Sequence, residues 1–254
     1  MKKKKKGLMV FLVVSAFLYL VPVVQTITRS MRYGDSVLTF RQFQELLITD
    51  YTSLHYFWNS VLYAVAITAV CLTVSFPLGF LFAKIHFVGR EILFYFYIVV
   101  MLLPFQATIL PNFIGLRDMK LLNTPLALML PQMFSPLAVF LFRQFIVGID
   151  DEVLKAALLE TSSAWDILRY VVLPQTKDAF VALGVLIFCE SWNMVDQVLV
   201  FAAKNDEIWP MSVMLTKLPE DVTYAGAVVY MYPVLILFLF FRNLLSKSVE
   251  KLKW

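Results

Sequence analysis

The sequence predicts an all-α integral membrane protein, and three observations support this fold class. Of its 254 residues, 60% are hydrophobic and 16% are charged, whereas about 25% of a typical soluble domain is charged. The mean hydropathy is +0.76. The basic residues form short clusters between long apolar runs, which is typical of membrane proteins rather than nucleic-acid-binding proteins. So little charge cannot cover a water-exposed surface, and many apolar side chains must therefore face lipid.

Six apolar runs are long enough to cross a bilayer as helices, which takes about 20 residues each. They cover residues 8–28, 58–83, 92–110, 125–149, 179–201 and 224–241. The first run follows Lys2–Lys6 and has some features of a signal peptide, but no small-residue cleavage motif follows it. We therefore interpret it as an uncleaved span. The fourth run contains Pro131 and Pro136, and its limits are the least well defined by the sequence.

The distribution of Lys and Arg predicts that both termini are cytoplasmic. Six spans place the termini on one side of the membrane, and fifteen of the 22 Lys and Arg residues lie on that side, against seven on the other. Positively charged residues concentrate in cytoplasmic loops. The segments 29–57 and 202–223 are then extracytoplasmic, and the longest cytoplasmic loop contains residues 150–174.

The cytoplasmic loop 150–174 has the pattern of two short amphipathic helices joined by a turn. The acids at 150–151 can cap the first helix and suit the dipole of its first turn. The serines at 162–163 can cap a second helix that begins near Ala164, and Pro174 is predicted to end it. A helix lying on anionic lipid would carry a basic polar face, whereas this loop is acidic. The pattern therefore favours docking on a protein partner over an interfacial helix.

This loop resembles the EAA loop of ABC importer permeases, in which E-A-A-x-x-D-G-A-S is followed further along by L-P. The corresponding residues here are Lys155, Ala156, Ala157, Leu158, Leu159, Glu160, Thr161, Ser162 and Ser163, and then Leu173 and Pro174. Lys155 and Thr161 replace the Glu and Gly that the family usually has. The resemblance implies that the loop, from Glu152 to Pro174, docks on an ATPase subunit and couples ATP hydrolysis to transport.

The other spans are similar to sugar-importer permeases of the maltose-importer type, in particular to the smaller permease of the pair. The motifs that carry this similarity occur in order as Asn59-Ser60, Pro104-Phe105-Gln106, Leu121-Leu122-Asn123-Thr124-Pro125, Trp192-Asn193 and Ala225-Gly226-Ala227. The C-terminal segment 244–254 departs from the family, because it is Lys-rich and lacks glycine. The resemblance implies a bacterial cytoplasmic-membrane protein that works by alternating access. Its implied partners are a second permease subunit in a heterodimer, two ATPase subunits and an extracytoplasmic substrate-binding protein.

Polar residues in the third and fifth runs are candidates for the substrate pathway. An ionisable group at mid-membrane costs about 2.5–3.5 kcal/mol on insertion scales, so it usually faces a cavity or a partner. On one continuous helix Glu190, Asn193 and Gln197 would share a face, with Trp192 beside them and Gln106 in the third run. These side chains could bind sugar hydroxyls. Alternatively, they could pair with the second permease and fix helix packing.

The extracytoplasmic segment 202–223 resembles the family's loop that contacts the sugar-binding protein. Trp209, Pro210 and Met211 are its candidate contact residues. A solvated connector without a binding role is the alternative.

The sequence predicts no catalytic, metal or cofactor site on this chain. None of its eight glycines belongs to the phosphate-binding motif G-x-x-x-x-G-K-[ST], so ATP and Mg²⁺ are expected on the partner ATPase subunits. His55 and His86 are too isolated for a metal site, and Cys71 and Cys189 lie in apolar runs as small hydrophobic residues. The rival hypothesis is a secondary transporter or channel that acts without an ATPase. It would predict an internal repeat with several central acids, whereas the sequence shows no clear repeat and one central acid, Glu190.

Overall fold

A computed structural model describes residues 2–32, 38–49 and 52–251, whose regular structure is entirely helical. The helices are α1 Lys2–Ser30, α2 Arg41–Gln44, α3 Thr52–Lys84, α4 Arg90–Met101, α5 Phe105–Asp118, α6 Pro125–Met133, α7 Pro136–Val147, α8 Asp151–Glu160, α9 Ala164–Ile167, α10 Leu173–Trp192, α11 Asp196–Phe201, α12 Met211–Met214 and α13 Glu220–Lys251. Two π-helical turns, Glu45–Thr49 and Leu168–Val172, follow α2 and α9. The predicted all-α class is confirmed. Residues 33–37 and 50–51 of the predicted outer loop and residues 252–254 of the C-terminal segment lie outside the described part.

Within the described residues, five helical stretches are long and apolar enough to cross a bilayer. They are Phe11–Ser30, Ser53–Lys84, Pro125–Val147, Ala164–Trp192 and Glu220–Leu244. Helices α4 and α5 together make a sixth candidate, although they are bent by 101° relative to each other. The six predicted spans agree with the structure when this bent pair is counted as one broken span. The cytoplasmic location of both termini stays a prediction.

The predicted third span, residues 92–110, is not one straight helix. Pro104 has an extended backbone (φ −65°, ψ 148°) immediately before α5. Because proline has no N–H, it cannot continue the hydrogen-bond ladder of α4, and it disfavours a helical conformation for Leu103. The chain therefore turns sharply here, and α5 continues beyond the predicted limit to Asp118.

The predicted fourth span is interrupted at residues 134–135. Ser135 accepts a hydrogen bond from the Ala138 N–H at 3.3 Å, and Pro136 occupies the first turn of α7. A serine N-cap followed by proline is a strong signal for a new helix. Pro131, in contrast, lies within α6, so the second proline of the pair coincides with the break.

The predicted fifth span, residues 179–201, ends earlier than expected. Helix α10 stops at Trp192 and a separate short helix, α11, follows. The Asn193 side chain donates to the Cys189 carbonyl at 2.7 Å, and the Tyr230 hydroxyl donates to the Trp192 carbonyl at 2.9 Å. The Tyr230 hydroxyl meets a carbonyl that a continued helix would have used, and the Asn193 side chain adds a second donor to the Cys189 carbonyl, which also accepts from the Asn193 N–H at 3.2 Å. Both contacts stabilise the end of α10.

Helix α3 is the centre of the bundle and packs against α6, α7, α10 and α12. Its crossing with α7 is very close at Gly79, where a Cβ atom would lie 2.5 Å from the Phe142 Cβ. Phe142 is fully buried, and its ring contacts those of Phe76 and Phe180. Small residues allow such close approach of helices in membranes. The α3–α7 pair therefore forms the tightly packed part of the fold.

Helices α1 and α13 lie at the edge of the bundle. Helix α13 packs on α10 and on α1, while the apolar span of α1 is 0% buried within the chain. Exposed apolar area of this size must be covered by lipid or by another protein chain.

Candidate functional site

Helix α8 forms at the residues that the sequence predicts. Its N-cap, Asp150, accepts a hydrogen bond from the Glu152 N–H at 3.2 Å. After a short turn, Ser163 caps the next helix by accepting from the Asp166 N–H at 3.3 Å. Both predicted caps are therefore present, and each satisfies a backbone N–H that the helix itself cannot.

The turn between the two helices does not require glycine. Thr161 has an extended backbone, with φ −145° and ψ 140°, which any residue can adopt. Its hydroxyl accepts from the Ser163 N–H at 3.1 Å and donates to an Asp166 carboxylate oxygen at 3.4 Å. The threonine that replaces the family's usual glycine therefore supports the turn through its side chain.

The prediction that Pro174 ends the second helix is wrong. A single membrane-length helix runs from Ala164 to Trp192, and Pro174 lies in the first turn of α10, directly after the π turn Leu168–Val172. Inside a continuous helix a proline removes one backbone hydrogen bond, and the π turn directly before Pro174 is the place where the α-helical hydrogen-bond pattern is interrupted. The second helix of the loop is therefore the start of the fifth span.

One side of α8 packs against the bundle and the other is exposed. Leu154 is buried in the main hydrophobic cluster and Ala157 packs partly against it. Leu158, which the sequence places on the same face, is exposed, and Leu159 is 90% exposed. The other predicted coupling residues with exposed side chains are Glu152, Lys155, Ala156, Glu160, Ser162 and Pro174, while Thr161 and Leu173 are half-buried. The exposed leucines of this amphipathic helix are therefore a candidate protein-binding surface.

Lys84 connects the end of α3 to the start of α8. Its ammonium group donates to the Ile149 carbonyl at 2.6 Å and to an Asp151 carboxylate oxygen at 2.6 Å. The hydrogen bond and charge of Lys84 hold the pKa of Asp151 below its usual value, so the ion pair is intact at neutral pH. Lys84 is mostly buried, whereas Asp151 is exposed.

We expect Lys84→Met to lower the thermal stability of the protein, because it leaves the Ile149 carbonyl and the Asp151 carboxylate without this partner. Loss of a partner in a buried hydrogen bond costs about 1–3 kcal/mol, and each kcal/mol corresponds to a shift of about 2–4 °C in Tm for a chain of this size. Thermal unfolding in detergent measures the change. Lys177→Met is the matched control, since Lys177 is exposed on the same predicted side. An equal Tm for both variants would contradict the structural role of Lys84.

Three helix breaks meet around one cavity of about 670 Å³. Each break contributes two of its lining residues: Leu103 and Phe105, Phe134 and Ser135, and Ser191 and Gln197. Non-helical backbone at membrane depth is tolerated where protein buries it or where it lines a water-filled cavity. Broken helices that meet near mid-membrane form the substrate sites of many transporters. The cavity is therefore the candidate for the transport pathway.

Several buried polar atoms in the cavity wall have no hydrogen-bond partner in the described part of the chain. They are the Gln132 Oε1, the Ser191 Oγ and the Gln197 Nε2, and Gln197 is only 3% exposed. A buried polar group without a partner costs about 1–3 kcal/mol. These three atoms are enclosed in the cavity wall, whereas the carboxylate-bearing residue Glu190 is exposed.

The structure places only part of the predicted pathway set at this cavity. Glu190 and Gln197 line it, whereas Gln106, exposed in the first turn of α5, is not among the lining residues. Because the helix stops before Asn193, the face expected for Glu190, Asn193 and Gln197 does not exist. The Asn193 side-chain oxygen lies 2.9 Å from the Tyr230 hydroxyl and shares the single proton of that hydroxyl with the Trp192 carbonyl.

Trp192 is a packing residue rather than a pathway residue. It is fully buried, and its ring stacks on those of Phe188 and Tyr230, with centroids 5.7 and 5.4 Å away. Its indole N–H donates to the Tyr230 carbonyl at 3.2 Å. This side chain therefore fastens α10 to α13.

The cavity also contains polar residues that the sequence analysis did not select, namely Asn112, Gln132, Ser135 and Ser191. One signal was available in the sequence. Gln132 follows Pro131 inside an otherwise apolar run, and polar side chains within spans usually face a cavity or another helix.

The candidate binding-protein contacts are buried in the chain. Trp209 donates its indole N–H to the Ala202 carbonyl at 2.9 Å, and the Met211 N–H donates to the Ser60 hydroxyl at 2.7 Å. Trp209, Pro210 and Met211 are all buried, so their side chains cannot insert into a partner without local unfolding. They fasten the outer segment to α3, and the exposed residues of that segment include Lys204, Asp206 and Glu207.

Asn123 holds the C-terminal end of α11, the helix whose first turn lines the cavity. Its backbone is left-handed, with φ 61°, a conformation that Asn adopts more readily than most residues. Its N–H donates to the Phe201 carbonyl at 2.8 Å, and its side-chain oxygen accepts from the Lys204 N–H at 2.9 Å. The Leu-Leu-Asn-Thr-Pro motif therefore holds the short helix that carries Gln197.

Comparisons with known proteins agree with this arrangement. Residues 75–251 match the family described as "Binding-protein-dependent transport system inner membrane component". The chain is 30% identical over 218 residues to the arabinooligosaccharides transport system permease protein of Halalkalibacterium halodurans, covering 83% of this chain and 77% of that protein. It is 35% identical over 141 residues to the sn-glycerol-3-phosphate transport system permease protein of Salmonella typhi, with coverage of 54% and 50%. It is 32% identical over 150 residues to the lactose transport system permease protein of Rhizobium radiobacter, with coverage of 59% and 55%.

The fold is also similar to a solved transporter structure. A chain of a bacterial ABC transporter involved in the import of the acidic polysaccharide alginate superposes with a TM-score of 0.82 at 20% identity, covering 92% of this chain and 94% of that chain. This likeness supports the fold. The chain therefore belongs to the family of inner-membrane components of binding-protein-dependent transport systems, and it is a multi-pass permease subunit of a bacterial ABC importer rather than an enzyme.

Proposed function

We propose that this chain lines one half of the pathway through which an importer carries a sugar or oligosaccharide across the bacterial inner membrane. The observation that carries this proposal is the cavity at three helix breaks, whose lining includes the polar residues Asn112, Gln132 and Glu190. Sugar hydroxyls both donate and accept hydrogen bonds and can satisfy such a set. The relatives named for arabinooligosaccharides and lactose support a sugar as cargo.

The proposed complex contains a second permease subunit and two ATPase subunits, which bind ATP and Mg²⁺. The unburied span of α1 and the exposed apolar residues of α4 and α5 leave ample surface for a second permease. In this arrangement the cavity of the isolated chain is one wall of a pathway that the second subunit completes. In the proposed complex the two permeases bind the sugar, and the two ATPase subunits bind and hydrolyse ATP.

Helix α7 is the proposed mechanical link between the ATPase and the cavity. Its first residues, Pro136 and Leu137, line the cavity, and Lys84 ties the segment after its last turn to α3 and α8. The helix has 12 residues, which corresponds to about 18 Å at 1.5 Å per residue. A displacement of docked α8 can therefore reach the cavity through one rigid element.

The extracytoplasmic binding protein is proposed to contact the exposed part of the segment 202–223. Lys204, Asp206, Glu207 and Lys217 are exposed there. Lys217 lies 3.9 Å above the ring of buried Trp209. The tryptophan thus supports the shape of this surface, while charged side chains make the contact.

Site-specific photocrosslinking in the intact complex tests the proposed function. A crosslinker at Leu159 should capture the ATPase subunit, whereas a crosslinker at Lys204 should capture the binding protein and not the ATPase. Capture of lipid alone at Leu159 would overturn the coupling role. Gradient-driven uptake by this chain alone in liposomes would instead support the secondary-transporter alternative.

A further inference from the structure

The cavity wall contains one charged residue among the described residues that line it, Glu190. The remaining lining residues are apolar or uncharged polar side chains, and none of them is Lys, Arg or His. Glu190 is exposed within the isolated chain, so its carboxylate is available to whatever fills the cavity. Its charge therefore acts on cargo without a compensating cation in this wall.

The dipoles of the helices at the cavity do not cancel the negative electrostatic potential that Glu190 creates there. Helices α4, α6 and α10 end at the cavity, and α5, α7 and α11 begin there. Each helix end carries roughly half an elementary charge, negative at the C-terminus and positive at the N-terminus. Three ends of each sign offset one another, and the full charge of Glu190 remains.

Glu190 also distinguishes between classes of cargo. A hydroxyl group can donate a hydrogen bond to its carboxylate, whereas an ionised phosphate or carboxylate group can only accept hydrogen bonds and would be repelled by it.

We infer that Glu190 is a specificity-determining residue that makes the pathway select against anionic cargo, so that the transported molecule is an uncharged polyhydroxylated compound. This inference rests on the proposed pathway function. The family does not fix the charge of the cargo, because its members include permeases named for sn-glycerol-3-phosphate as well as for lactose. The charge of the cavity wall therefore indicates the charge of the cargo, which membership of the family does not.

Charged thiol reagents measure this selectivity without knowledge of the cargo. The reporter is Asn112→Cys, at a lining residue, in the full transport complex in membranes, with Cys71 and Cys189 replaced by Ala. Rates of labelling are compared for a sulfonate-bearing, a trimethylammonium-bearing and a hydroxyl-bearing methanethiosulfonate. We expect the anionic reagent to react at least about five-fold more slowly than the neutral one. Glu190→Gln should remove most of this difference.

Asp196→Asn provides the matched control, because Asp196 is an exposed acid close in sequence that does not line the cavity. It should leave the ratio of labelling rates unchanged. The inference is overturned if Glu190→Gln does not change the ratio, or if no reagent labels the reporter, since the cavity would then be closed to water. Failure to crosslink the ATPase at Leu159 would contradict the proposed function but would not change the labelling rates. The failure of the proposed function can therefore be distinguished from the failure of the inference about Glu190.

Discussion

Replacing Ala156 by Arg is expected to abolish ATP-driven uptake while the helical bundle stays folded. Ala156 is exposed on α8, and so is Leu159 one turn later. Exposed substitutions usually change the free energy of unfolding by less than about 0.5 kcal/mol. In a docked interface, however, an unpaired arginine costs several kcal/mol, and each 1.4 kcal/mol is a factor of about ten in affinity. We therefore expect uptake to fall at least ten-fold with no change in Tm.

The neighbouring residue, Ala157, provides a comparison for the substitution at Ala156. Ala157 packs against the main hydrophobic cluster, so Ala157→Arg should lower Tm as well as uptake. Ala156→Ser keeps the side chain small and should retain uptake. Wild-type uptake by Ala156→Arg would show that the exposed side of α8 is not the docking surface, and it would remove the main support for the coupling role.

The apolar runs predict the long helices of this fold, because the bilayer imposes a length and an apolar composition on any spanning helix. The predicted span 58–83 lies within α3, and the span 224–241 lies within α13. The two caps around α8 were also predictable. They depend on side chains one to three residues away in sequence, which act locally.

The helix breaks could not be located from the sequence in every case. The break before α5 coincides with Pro104, a local signal, whereas the break after Trp192 has no proline. It is stabilised by a hydrogen bond from Tyr230, which lies on another helix and far along the chain. A periodicity argument assumed one continuous helix and so placed Asn193 on the wrong surface. The error came from a tertiary contact that local patterns do not encode.

Burial in the outer segment was also decided by tertiary contacts. The resemblance of the segment 202–223 to the family's outer loop made Trp209 a candidate contact residue for the binding protein, a role that requires an exposed side chain. The structure instead places this segment on α3, where Asn59 donates to the Trp209 carbonyl at 3.1 Å. The polar motif Asn59-Ser60 within an apolar run indicated that these side chains have hydrogen-bond partners. The partners, in the segment around Trp209, are too distant in sequence to be identified from the motif.

Gly79→Ala is expected to destabilise the fold by about 1–3 kcal/mol, the usual cost of inserting extra volume into a packed core. The added methyl group would meet the Phe142 Cβ at 2.5 Å and the Arg143 backbone nitrogen at 3.1 Å. Neither atom can move by side-chain rotation, so α3 and α7 must separate. Thermal unfolding in detergent or nanodiscs measures the loss, and Gly79→Leu should prevent stable folding.

Gly115→Ala is the control, because a Cβ atom at Gly115 would meet nothing within 4 Å. In a helix interior, alanine is favoured over glycine by up to about 1 kcal/mol, so this variant should be as stable as the parent or slightly more stable. If Gly79→Ala unfolded at the same temperature as the control, α3 and α7 would not be in close contact in the membrane. In that case α7 could not act as a rigid link held against α3, and motion of α8 would have to reach the cavity by another element.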